Sequence, residues 1–160
     1  MTRTALRPFL LSAPVLWVGA LLAATFIASR VQVGVAAYAI SAAIYQVGSI
    51  LCHQRPERSF HLWGAQLPVC ARCTGLYLGA AIAALVAAPM GRTFSRGVWS
   101  HARGLLLVAG VPTVATLLYE WTTGDMPSHW IRASAGFPLG VVVMLIVLAA
   151  TTSMSAVEIH

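Results

Sequence analysis

The sequence predicts an all-α fold, a polytopic integral membrane bundle of about five transmembrane helices. Three observations carry that expectation. Apolar residues make up 59% of the 160-residue chain and charged residues only 9%. Mean hydropathy is +0.81, beyond the range of soluble globular domains. Five long stretches contain no Asp, Glu, Lys or Arg, and a hydrocarbon core about 30 Å thick needs roughly 20 helical residues to cross it.

The first span is placed at about 8–29. Arg3 and Arg7 precede it as they would a secretory signal, but its apolar region exceeds the roughly 7 to 15 residues of such a segment, so it is read as an uncleaved helix. The second span, 31–51, follows Arg30 and ends against Cys52; the third, 73–91, opens on Cys73. The fourth has the shortest uncharged stretch and is given the range 104–121, because it reaches across only by taking in Glu120 and Trp121, by local thinning, or by leaning on partner helices. The fifth is 133–155. Pro112 and Pro138 fall inside apolar runs and are expected to kink them, freeing carbonyls that neighbours must satisfy. Gly75-x-x-x-Gly79 and Gly136-x-x-x-Gly140 have the spacing that lets helices approach closely in lipid; incidental glycines in an Ala/Gly-rich chain are the alternative. No linker, repeat or low-complexity tract divides the chain, so 1–160 is read as a single transmembrane domain.

Five crossings would open the loops after the second and fourth spans on one side, together with the N-terminus. Those loops and their borders collect Cys52, Cys70 and Cys73, the histidines His53, His61 and His129, the acids Glu57, Glu120 and Asp125, and Arg55, Arg58, Arg72 and Arg132. The opposite side is left with a basic rim of Arg30, Arg92, Arg96, His101 and Arg103. With the arginines beside the cysteines set aside as site residues, Arg3 and Arg7 stand against Arg30, Arg92, Arg96 and Arg103, which turns the polar face away from the cytoplasm. The net charge of +6 comes wholly from arginine, and anionic head groups account for it. Membrane lipids are therefore the expected partners and the cell membrane, crossed several times, the expected location. No groove-reading motif points to nucleic acid.

The chemistry concentrates in "LCHQRPERSFHLWGAQLPVCARCTGLYLG", Leu51 to Gly79. Zinc takes four tetrahedral thiolate or imidazole ligands, and C-x-x-C lets two sulfurs reach one ion from a single turn. Cys70 and Cys73 supply that pair, Cys52 a third thiolate, and His61 or His53 the fourth ligand, a set that would clip the second span to the third. A redox reading competes. Cys73 opens a helix beside Arg72, where dipole and charge favour thiolate, with Cys70 as its partner and Cys52 able to exchange with either, as in membrane thiol oxidoreductases that use a quinone. A structural disulfide or inert thiols form the third reading.

Arg55, Arg58 and Arg72 are candidate anion-binding residues, since guanidinium forks grip phosphate or carboxylate in pairs. Together with Arg132, Asp125, Glu120 and His53 as candidate catalytic groups they would make a lipid-head-group hydrolase or transferase. Snorkelling and pairing of helix-end charges is the simpler account, and Trp63, Trp121 and Trp130 read as an interfacial belt. The sequence has no H-E-x-x-H, P-loop, G-x-S-x-G or C-x-x-C-H.

Two blocks, Cys-His-Gln-x-Pro-x-Arg-Ser-Phe from Cys52 and Leu-Pro-Val-Cys-Ala-Arg-Cys-Thr-Gly-Leu-Tyr-Leu-Gly from Leu67, carry a resemblance. Together they resemble the signature of an uncharacterised family of small prokaryotic membrane proteins, the domain of unknown function 2085. The likeness extends to a later acidic turn followed by Arg and Gly, matched by Glu120, Asp125, Arg132 and Gly136. Where family members often have Asp-Gly and an Asn before that arginine, this chain has Gly124-Asp125 and His129. The resemblance implies a multi-span helical membrane protein and no particular activity.

Overall fold

A computed structural model describes residues 3–89 and 97–157. The predicted rim residues Arg92 and Arg96, and the end of the third predicted span at 90–91, lie outside them. The chain is an all-α membrane bundle: α1 (Arg3–Ala28), α2 (Val35–Leu51), a 3-10 turn (Pro56–Arg58), a hairpin of β1 (His61–Leu62) and β2 (Ala65–Gln66), α3 (Ala71–Ala87), α4 (Ala102–Thr123) and α5 (His129–Val157). Helices α1, α4 and α5 are long and apolar enough to cross a membrane, while α2 and α3 are shorter apolar helices of 17 residues each. Helix α4 runs through Glu120 and Trp121 to Thr123. It stops at Gly124, whose left-handed φ of 75° lets its N–H cap the Glu120 carbonyl.

The centre of the bundle is the contact of α3 with α5. A Cβ on Gly75 would overlap the carbonyl of Ala133, one on Gly140 that of Leu76, one on Gly79 that of Phe137 and one on Gly136 that of Arg72. Both glycine pairs therefore face each other, and backbone touches backbone along two turns, the kind of association small residues permit where lipid supplies no hydrophobic drive. Residue numbers rise together across this seam, so α3 and α5 run parallel and α4 is the return. The Thr113 hydroxyl on α4 bonds the Ala135 carbonyl at 2.8 Å, one turn before Pro138.

Helix α1 runs antiparallel to α3: Trp17 meets Tyr77 edge to face at 6.2 Å, and Leu10 and Leu11 pack against the cluster that Ala83, Ala84 and Ala87 form with Met144 and Leu148 of α5. The N-terminal end of α1 thus lies opposite the end where α3 begins, not beside the cysteines as five crossings would have it. The second apolar run explains the difference. Near its start, Ser41 bonds the Ala24 carbonyl at 3.0 Å; at its finish, Cys52 packs with Leu21 and Val69. Both contacts fall at the same end of the bundle, with Ser41, Ile44, Tyr45 and Gly48 forming the inner stripe of α2. The helix lies across that end, and Arg30 joins it there, stacked over Phe26 at 4.4 Å.

Candidate metal centre

Three short elements build the site at this end of the bundle. Cys52 terminates α2 in extended conformation, Cys70 is the residue before α3, and Cys73 lies in the first turn of α3. The segment joining them is held by amides. Gln54, at φ 44°, donates from Nε2 to the carbonyls of Tyr45 and Pro68, both at 2.7 Å, while Gln66 Nε2 donates to the Gln54 carbonyl at 2.6 Å. The Tyr45 hydroxyl bonds the Gln66 carbonyl. Gly48 leaves room for the Pro68 carbonyl and the Gln54 amide, which a Cβ would strike. The hairpin turns on Trp63 and Gly64, both at positive φ as a two-residue turn of the I′ type requires, and Trp63 rests edge-on against Phe26 at 5.4 Å.

So braced, the three sulfurs converge: their Sγ atoms all lie within 4.8 Å of one another, and the Cys70 N–H points at Cys52 Sγ at 3.2 Å. All three cysteines are free. The Cys70 thiol is held below the usual thiol range, first by the hydrogen bond from the Cys73 side chain, against the opposing cost of burial, and further by the Cys73 N–H, by Cys52 and by the charge of Arg132. A tetrahedral ion with Zn–S bonds of about 2.3 Å sets its sulfurs about 3.8 Å apart, so the donor set suits such an ion in chemistry and in spacing.

The sulfurs form one wall of a cavity of about 430 Å³ whose other walls include His53, Arg55, Arg58, Arg72 and Arg132. His53 is thus brought to the cavity, though its ring is not in the sulfur group; His61 is exposed on β1 and stands outside that group too. Glu120, at the end of α4, binds three of the arginines: Arg72 at 2.8 Å, Arg132 at 3.2 Å and Arg58 at 3.7 Å. Thr116 accepts a further bond from Arg72 at 3.1 Å. Asp125 lies exposed after α4, its N–H bonded to Thr123, and pairs with no arginine among the described residues. His129 opens α5 against Phe60 at 5.6 Å. Gln54, Gln66, Tyr45 and Thr116 were not legible as site residues. Gln54 stood inside the Cys-His-Gln block, yet a buried amide and a solvated one look the same in sequence.

Fold and site together define a polytopic helical membrane protein with a thiol cluster and an arginine-rich cavity at one end. The comparisons place it more narrowly. The chain belongs to the predicted-membrane-protein family DUF2085, whose model matches residues 52–146, from the first cysteine into α5. It is similar to an uncharacterised protein of Methanocaldococcus jannaschii, 45% identical over 47 residues, or 29% of this chain and 30% of that one. It is also similar to an uncharacterised protein of Methanothermobacter thermautotrophicus, 60% identical over 30 residues, or 19% of this chain and 27% of that one. The match thus spans under a third of the length of either relative. No solved structure matches.

Proposed function

We propose that this chain is a single-domain, multi-pass protein of the cell membrane that holds a divalent metal, zinc by its donor chemistry, on Cys52, Cys70 and Cys73. The observation that supports this is the convergence of three sulfurs from two helix ends. Inert thiols would not require an amide-braced loop to bring them together. Cys52, Cys70 and Cys73 would hold the ion, and His53, on the wall of the same cavity, is the residue that would supply a fourth ligand; a site with three protein ligands and an open position belongs to working metal sites more than to purely structural ones. When bound, the ion would supply Lewis acidity at the cavity wall. The chain's own contribution is to fix the sulfurs, through Gln54, Gln66 and Tyr45, and to surround the open position with cations.

The test is elemental analysis of protein purified anaerobically without chelator. About one metal per chain is expected, lost in Cys70→Ser. Cobalt loading should produce sulfur-to-metal charge-transfer absorption that the same variant lacks. Folded protein free of stoichiometric metal would overturn the assignment.

One observation favours a second reading: three free thiols lie within 4.8 Å of one another, and the hydrogen bonds of its neighbours favour the thiolate at Cys70, an arrangement that suits thiol–disulfide exchange. Cys70 and Cys73 would form a disulfide, giving two electrons and two protons to a membrane quinone. Mass mapping after mild oxidation decides this; both thiols still reduced would eliminate it.

A further inference from the structure

We infer that the arginine-walled cavity is a binding site for a phosphate group. Arg55, Arg58, Arg72 and Arg132 all line it. Against these guanidiniums stands a single carboxylate, Glu120, already divided among Arg58, Arg72 and Arg132. Glu57, next to Arg58 in sequence, makes no ion pair among the described residues. Four guanidiniums less one carboxylate leave three positive charges, and the cysteine wall of the same cavity lowers that surplus.

Buried donors without acceptors accompany that surplus. Arg132 is 2% exposed. Its Nε lies 3.2 Å from Glu120 Oε1, but not at the angle of a hydrogen bond, and the Nε atoms of Arg58 and Arg72 are likewise buried without an acceptor. Burying guanidinium donors unmatched is costly, and an oxyanion carrying several acceptors relieves that cost. A carboxylate brings one charge and two oxygens. A phosphate monoester or inorganic phosphate brings up to two charges and three or four oxygens, disposed for the paired forks of arginine. One negative charge on the sulfur wall, carried by a divalent ion on three thiolates or by a single thiolate without the ion, leaves a surplus of two, which a dianion balances. The inference thus stands on the arginines and does not rest on the metal.

The position is suitable as well. The cavity opens where α2 ends, α3 and α5 begin and α4 ends, and the exposed rings of Trp63, Trp121 and Trp130 mark the same end, at the depth of phosphate head groups.

The test measures binding to the full chain in two arms: inorganic phosphate with protein in micelles, and phosphatidylcholine nanodiscs with or without phosphatidic acid. Binding in the first arm alone identifies free phosphate, and in the second alone a lipid phosphomonoester; either supports the site. Arg55→Ala changes an exposed residue without an ion pair among the described residues, and Arg58→Gln changes a partly exposed one. Each should weaken binding about tenfold, the loss of one charge-assisted contact. Wild-type protein stripped of metal by chelator should bind phosphate still. The inference is overturned by no binding in either arm, by unchanged affinity in both arginine variants, by acetate binding as tightly as phosphate, or by loss of binding in the stripped wild-type protein.

Discussion

Glu120 is the residue on which the charged end of the bundle turns. It is 8% exposed and is the shared counterion of one fully buried and two partly buried arginines. Removing one partner of a buried ionic cluster leaves the others uncompensated, which costs about 3–5 kcal/mol. Glu120→Gln should therefore lower the thermal unfolding midpoint in detergent markedly, while Asp125→Asn, an exposed change, should leave it in place. Gln54 works by hydrogen bonds alone. Gln54→Ala strips donors from the Tyr45 and Pro68 carbonyls and is expected to cost about 1–3 kcal/mol. Because those bonds brace the sulfur loop, a metal loaded onto the proposed site should leave to a chelator faster in this variant than in wild type, as timed release would show. Cys52, Cys70 and Cys73 were legible from type and spacing, since C-x-x-C at a helix start constrains its own geometry. The pairing of Glu120 with Arg72 was not, because 48 residues separate them and nothing local couples them.

Among the elements, the α3–α5 seam is the most demanding. Adding a methyl group at Gly75 or Gly140 drives a side-chain atom into a partner carbonyl, and neither backbone has a free direction in which to yield. Gly140→Ala should destabilise by about 1–3 kcal/mol, the range for overpacking, whereas Gly104→Ala, with open space around it, should raise helix stability slightly. Thermal unfolding of the two variants separates these outcomes. The spacing of the glycines was visible in sequence, but which helix faced which was not: a small-x-x-x-small pattern marks a contact face without naming its partner. The hairpin at 61–66 also went unread. Its strands are two residues long, below the length at which alternation can register.

For the molecule as a whole, the lie of α2 decides the sidedness. If α2 crossed the membrane, the chain before and after it would face opposite compartments. With α2 across one end, a cysteine placed at Val31, which is fully exposed, should react with an impermeant thiol reagent from the same side as one placed at Trp63, and from the side opposite to one at Gly104. Labelling of intact cells and of inverted vesicles, with the native thiols as baseline, distinguishes the two arrangements. Opposite-sided labelling at 31 and 63 would require α2 to cross. The far end carries Arg7 and Arg103, while the cysteine end, with the four cavity arginines set aside, keeps only Arg30 of the described residues, so the cysteine end is expected to face away from the cytoplasm.

By itself the sequence determined that this is a helical membrane protein, roughly where each helix lies, and that its cysteines fall in the same two connecting regions as Glu120 and four of its arginines, because hydropathy over some twenty residues and metal-like spacing are local properties. Only the tertiary structure decided that α2 lies across the bundle and that α3 and α5 pair through glycine. It also decided that one carboxylate serves three arginines. A run of apolar residues records how much chain avoids water but not its direction, and contacts between distant segments depend on packing that no single segment encodes.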